Sequence, residues 1–206
     1  MSQPELDAFV AEAQRTERTL HDIGSGDWSR PGLGEWTLTE LAFHLVRQAD
    51  RLVTYLDRPL RADSATVDRH TYFAGSASLA ADVSRRTREG AAGVDPTTLP
   101  TAFGDAWRQT RNAVADPVAL IETIAGTMRT DEYLATRVVE IVVHHMDVRR
   151  ALDLAPDADP QAARIVADLA EGMLTGDRPR GLGRTRFILA ATGRIEHPDP
   201  RLPVLP

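Results

Sequence analysis

The chain has 206 residues, 42% hydrophobic and 26% charged, which suits an ordinary globular protein with one well-packed core. Its net charge of −6 and pI near 5.5 argue against non-specific nucleic-acid binding, which needs a basic surface, and no apolar run approaches the roughly 20 residues of a membrane span. Cysteine is absent and all 24 basic residues are arginine, so disulfides, thiolate ligands, a cysteine nucleophile and a lysine Schiff base are excluded together.

In chain order, residues 4–22 combine an early proline with apolar spacing suited to a first helix, ended by Gly24 and Gly26. The segment from Asp27 to Trp36 reads as a loop stiffened by Pro31 and pinned by two tryptophans. Thr37-Leu-Thr-Glu40 is a capping box, and the helix it opens runs to about Asp57. Residues 60–77 lack periodicity and read as a long connection. A third helix is expected over Ser78–Ala92, then a loop from Gly93 to Gly104. Shorter helical pieces follow at Asp105–Ala115 and Pro117–Ala125, the second with Pro117 at its first position. A long helix covers Asp131–Leu152, and another runs from Asp159 to about Thr175. Arg184–Thr192 reads as a strand before a proline-rich end. The expected fold class is mainly α: an antiparallel four-helix bundle over residues 1–175, with a short C-terminal extension over 176–206 that carries the strand. With no signal-like apolar segment behind Met1, the expected location is cytoplasmic.

The chemistry concentrates in the long helix. At about 100° per residue, Tyr133, Arg137, Glu140, His144 and Asp147 fall within roughly 80° of one another. Val139 and Val143 flank that sector on one side, Leu134, Ile141 and Val148 on the other. A carboxylate and an imidazole enclosed by such shoulders must be paired, hydrogen-bonded or metal-bound, because unpaired burial costs several kcal/mol. Glu140 and His144, at i and i+4, can hold one ion between them. In the second helix, His44 lies between an apolar arc (Leu38, Leu41, Leu45, Leu52) and a polar one (Glu40, Arg47, Arg51), where it can face a cleft. His44, Glu140 and His144 together offer three ligands with one position open, as in catalytic zinc sites; the same set also suits iron, nickel or manganese. His145 points about 140° away from Glu140 and is excluded from the same ion. Asp147 either accepts the second N–H of His144 or pairs with Arg150 or Arg137. His21, His70 and His197 read as solvated, Gly32-Leu-Gly34 and Gly181-Leu-Gly183 as turns, and Arg178, Arg180, Arg184 and Arg186 as decoration of the tail.

Two stretches carry a family resemblance: Trp36-Thr-Leu-Thr-Glu-Leu-Ala-Phe-His44-Leu45, and Gly126-Thr-Met with Asp131 through Asp147 and Ala151-Leu152. Over about residues 5–155 the chain resembles the DinB-like, mycothiol-dependent maleylpyruvate isomerase family. The resemblance implies a four-helix bundle holding a divalent metal, usually zinc, on His44, Glu140 and His144, with mycothiol as a thiol co-substrate. An imported thiol also suits a chain without cysteine. The expected activity is addition of that thiol to a small electrophilic, carboxylated substrate, giving isomerisation or S-transfer, with Arg47 or Arg137 holding the substrate carboxylate. Metal-assisted hydrolysis and a non-catalytic metal- or small-molecule-binding module are the alternatives. No membrane or nucleic-acid partner is expected, and the oligomeric state is monomer or homodimer.

Overall fold

Helix α7 (Thr130–Ala151) carries so many apolar residues around its circumference that it has to be covered on nearly every side. In the computed structural model, which describes residues 3–74, 80–116 and 118–205, every residue from Tyr133 to Val148 except Glu140 is buried. The cover comes from α1 (Pro4–His21), α2 (Leu38–Asp50) and α8 (Pro160–Gly172). A further helix, α6 (Leu99–Ala113), packs on both α1 and α2, so that α1, α6, α2 and α7 close a cycle around one apolar core. The mainly helical class is as expected.

Local sequence sets the ends of these helices. Pro4 opens α1, with Glu5 and Asp7 in its first turn and Arg18 and His21 in its last, matching the helix dipole. The capping box of α2 forms in full: the Thr37 hydroxyl accepts from the Glu40 amide, and Glu40 accepts from the Thr37 amide at 2.7 Å. Asp159 caps α8 by accepting from the amides of Gln161 and Ala162. Ahead of α2, the tryptophan loop makes a small hairpin of β1 (Pro31–Leu33) and β2 (Trp36–Thr37), turning at Gly34 with φ +55°.

Several expected elements are different. The second helix breaks after Asp50 and resumes as α3 (Val53–Leu56). The aperiodic connection contains α4 (Arg69–Ala74), held to α7 by Arg69, whose guanidinium donates to Glu132. The third helix is α5 (Ala80–Ala91), while the expected start at Ser78 lies outside the described residues. Helix α6 starts at Leu99, not Asp105, because Pro100 fits a first turn, where no amide is needed.

The expected helix at 117–125 is instead a hairpin, β3 (Leu120–Glu122) with β4 (Thr127–Arg129); Pro117 itself lies outside the described residues. Gly126 adopts φ +138°, open only to glycine, and a side chain there would run into Thr66 and Val67. The expected strand at 184–192 is helix α9 (Arg184–Ala191). Its run Phe187–Ala191 is buried throughout, and so short a continuous apolar run does not distinguish strand from helix. Helix α9 packs on α8. Among the described residues no helix is long and apolar enough to cross a membrane.

Candidate metal centre

The capping box starts α2 in a register that sends Leu38, Leu41 and Leu45 into the core and leaves His44 at its edge. Across from it, α7 presents Glu140 and, one turn on, His144. The structure brings all three together. Glu140 Oε2 lies 3.5 Å from His44 Nε2 and 3.4 Å from His144 Nε2, and the three ligand atoms fall within 4.8 Å of one another. They line a cavity of about 910 Å³ bounded by α2, α4, α5, α7, the β3–β4 turn and the segment after α9. The His44 and His144 rings meet edge to face at 4.8 Å, and Trp36 covers His44 at 5.0 Å. The tryptophan that pins the β1–β2 loop is therefore also a wall of the site.

Hydrogen bonds around the cluster fix the imidazoles. The Arg137 guanidinium donates to Gln48 Oε1, so the amide nitrogen of Gln48 is the end that faces His44, at 3.0 Å from Nε2. That nitrogen can only donate, so His44 Nε2 carries a lone pair. Its Nδ1 is 3.4 Å from the Thr87 hydroxyl. His144 is set from its other side: Nδ1 donates to Asp147 Oδ2 at 3.1 Å, which turns the Nε2 lone pair toward Glu140. Asp147 is in turn paired with Arg194, at 3.0 Å. Of the partners weighed for Asp147, the N–H of His144 is the one found, and the ion pair is made by Arg194 in place of Arg150 or Arg137.

Two lone pairs and a carboxylate thus converge, an arrangement that calls for a cation. The titration behaviour reflects it. Burial pushes the His44 imidazole down to about 4, against the hydrogen bond to Glu140 that would raise it. Burial also acts against charge on His144, but its bonds to Asp147 and Glu140 prevail and raise it above the ordinary imidazole value. Burial would raise the Glu140 carboxyl; the hydrogen bond from His144 and the charge of Arg137 hold it well below the usual range. Without a metal, a proton on His144 is the cation that these bonds favour. His44, Glu140 and His144 are the residues that could together hold one metal ion.

His145 has a separate place. Its Nδ1 is 2.6 Å from Glu12 Oε1 and its Nε2 is 2.9 Å from the Thr19 hydroxyl, both on α1. Arg47 and Arg137 both line the cavity, Arg137 beneath the Tyr133 ring at 4.7 Å. His21 is exposed as expected, whereas His70 and His197 are half-buried: His70 packs against Gly172, and His197 accepts from the Asp199 amide. In the tail cluster Arg178 pairs with Glu171, and Arg180, Arg184 and Arg186 are exposed.

The family model for the mycothiol maleylpyruvate isomerase N-terminal domain matches residues 9–149. The chain belongs to this family. No match was found among curated proteins or among solved structures. The family segment holds His44, Glu140 and His144 as well as Gln48, Thr87, Arg137 and Asp147, and it ends before Arg194. Sequence reasoning missed Gln48, Thr87 and Arg194. Gln48 was within reach, standing one turn from His44 on the same face. Thr87 and Arg194 gave no local signal, since only the packing of α5 and the course of the last segment bring them to the site.

Proposed function

We propose that this protein is a metal-dependent enzyme of thiol chemistry, with its metal on His44, Glu140 and His144. The observation that carries the reading is the convergence of three electron-pair donors at the wall of a ligand-sized cavity. The 3.4 and 3.5 Å separations from Glu140 to the two imidazoles suit neighbouring ligands of a tetrahedral zinc ion, whose edges are about 3.4 Å for bonds of about 2.1 Å. Three protein ligands leave a position for a small molecule. A divalent metal there would lower the pKa of a bound thiol and so supply the nucleophile that a cysteine-free chain lacks.

The chain's own residues do the rest. Asp147 and Arg194 hold His144 in the tautomer that ligates through Nε2, and Arg137 acts on His44 through Gln48. Gln48 must release His44 Nε2 when a metal arrives, and its amide is then free to face the cavity. Arg47 would hold a substrate carboxylate, with Arg137 bonded to Thr136, Gln48 and Tyr72 behind it, while the thiol, mycothiol by family membership, adds to an electrophilic double bond. Rotation about the resulting single bond and elimination of the thiol would give isomerisation; retention of the thiol would give S-transfer. We also read the cycle of α1, α6, α2 and α7 as the DinB-like antiparallel four-helix bundle, with residues 176–206 as an extension that delivers Arg194.

The test is thermal. Mycothiol is expected to raise the melting temperature of the zinc-loaded protein by mass action on the folded state, and to shift the chelator-treated protein much less. An identical shift in both forms would place the thiol away from the metal and overturn the reading.

A further inference from the structure

The chain is acidic, with a net charge of −6, yet its cavity is not. Arg47, Arg51, Arg86, Arg137, Arg150 and Arg194 line it, against Glu140 as the one lining carboxylate among the described residues. Three of the six guanidiniums have protein work: Arg194 neutralises Asp147, Arg137 orients Gln48, and Arg150 donates to the Arg194 carbonyl. Among the described residues Arg47 and Arg51 have none and form no ion pair, and that of Arg86 is at the surface, with the exposed Asp82, which it shares with Arg85.

The guanidiniums of Arg47, Arg51 and Arg86 stand together. Burial lowers the Arg47 pKa first, and the charges of Arg51 and Arg86 lower it further. Asp50 is the acidic group felt by Arg47 and Arg51, but it makes no ion pair with either among the described residues. A place near the C-terminal end of α2 favours cations and accounts for Arg47 and Arg51. It does not account for Arg86, brought from α5 to repel them. Like charges gathered at a half-enclosed wall are stabilised by a bound anion, and guanidinium forks are the groups that grip one in two-point fashion.

We propose that Arg47, Arg51 and Arg86 form an anion subsite for a doubly charged end group, a phosphate or a pair of carboxylates, on the substrate of the metal centre. The distance from the reacting end follows from the helix. His44 and Arg47 stand at i and i+3 of α2, about 4.5 Å apart along its axis, and Arg51 follows as the cap of its C-terminal end. The cavity is also lined by apolar groups such as Tyr55, Phe73 and Val83. The substrate is thus a small molecule whose reacting carbon is separated from a dianionic terminus by a short apolar spacer. This deepens the proposed function by naming its substrate class, and it rests on that reading only for the reacting end.

Calorimetric titration of the full chain in low-salt buffer, zinc-loaded and chelator-treated, tests it with phosphate, malonate and acetate as probes. Phosphate or malonate is expected to bind at least tenfold more tightly than acetate in both forms, and the tighter of the two identifies the end group. Arg47→Gln with Arg51→Gln is expected to weaken that binding at least tenfold, and Arg86→Gln, on α5, several-fold by itself. Arg111→Gln, outside the cavity, should leave it unchanged, with melting temperatures confirming that each variant folds. Equal affinity for acetate, or binding untouched by both sets of arginine substitutions, would overturn the subsite. Binding confined to the zinc-loaded form and insensitive to these arginines would put the anion on the metal, overturning the subsite while leaving the proposed function standing. A protein that takes up no zinc but keeps the arginine-dependent binding would do the reverse.

Discussion

His144 and His145 are neighbours in α7, and both are buried against a glutamate, yet they belong to opposite kinds of polar cluster. His145 faces α1. Both its ring nitrogens are engaged, and Glu12 spends its second oxygen on the Asp159 amide at 2.6 Å, which ties α1 and α7 to the start of α8. His144 faces a cavity, and its Nε2 meets only the other electron-pair donors of the cluster. A closed cluster holds a fold together; an open one, short of a cation, is built to receive something. Residue types are the same in both and both imidazoles are buried, so the difference lies in whether the donors and acceptors balance.

That contrast can be broken experimentally. The largest effect is expected from His144→Ala, which should abolish stoichiometric zinc, read by elemental analysis, while leaving the chelator-treated protein folded. Retained zinc would mean that the open cluster is not a metal site. His145→Ala should do the opposite: zinc stays, but the fully buried Glu12 loses the partner of its Oε1. The cost is about 3 kcal/mol, or roughly 6–12 °C in melting temperature for a domain of this size. Equal melting temperatures for His145→Ala and the parent would show that the α1 cluster contributes nothing to stability.

Smaller effects sharpen the comparison. Asp147→Asn keeps the size of the group that orients His144 but removes its charge, and should weaken zinc binding about 10–100-fold in a chelator competition. Arg194→Gln, one partner further out, should weaken it less than Asp147→Asn does. An Asp147→Asn affinity within twofold of the parent would make Asp147 a structural ion-pair residue. The slightest effect is that of pH. Because the His144 pKa is raised in the metal-free protein, its proton competes with zinc. Zinc affinity should therefore fall as pH drops through that raised value, starting above the ordinary imidazole range. The His44 ring, pushed down to about 4, should stay neutral over the same window in an NMR titration of the two imidazoles.

The parts of the site readable in the sequence were those governed by helical period. The spacing of Glu140 and His144, the exclusion of His145 and the place of Asp147 one turn past His144 all follow from angles around one helix, and the capping box at Thr37 fixes where His44 stands on another. Readings failed where an apolar run was short or where the controlling contact was distant. Residues 184–192 became a helix because α8 offered a face for it. Residues 120–129 became a hairpin around a glycine whose backbone suits only that turn.

By itself the sequence determined which side chains share a face, which helix must be buried, and that any thiol or metal has to come from outside, because these depend on composition and on a repeat of 3.6 residues. Tertiary structure alone decided that His44 meets Glu140 at 3.5 Å, that Thr87 flanks the same imidazole, and that Arg194 reaches Asp147. It also decided that Arg47, Arg51 and Arg86, from the end of α2 and from α5, line one cavity. Such meetings join residues tens of positions apart, and their geometry is set by how whole helices pack, which no local pattern encodes.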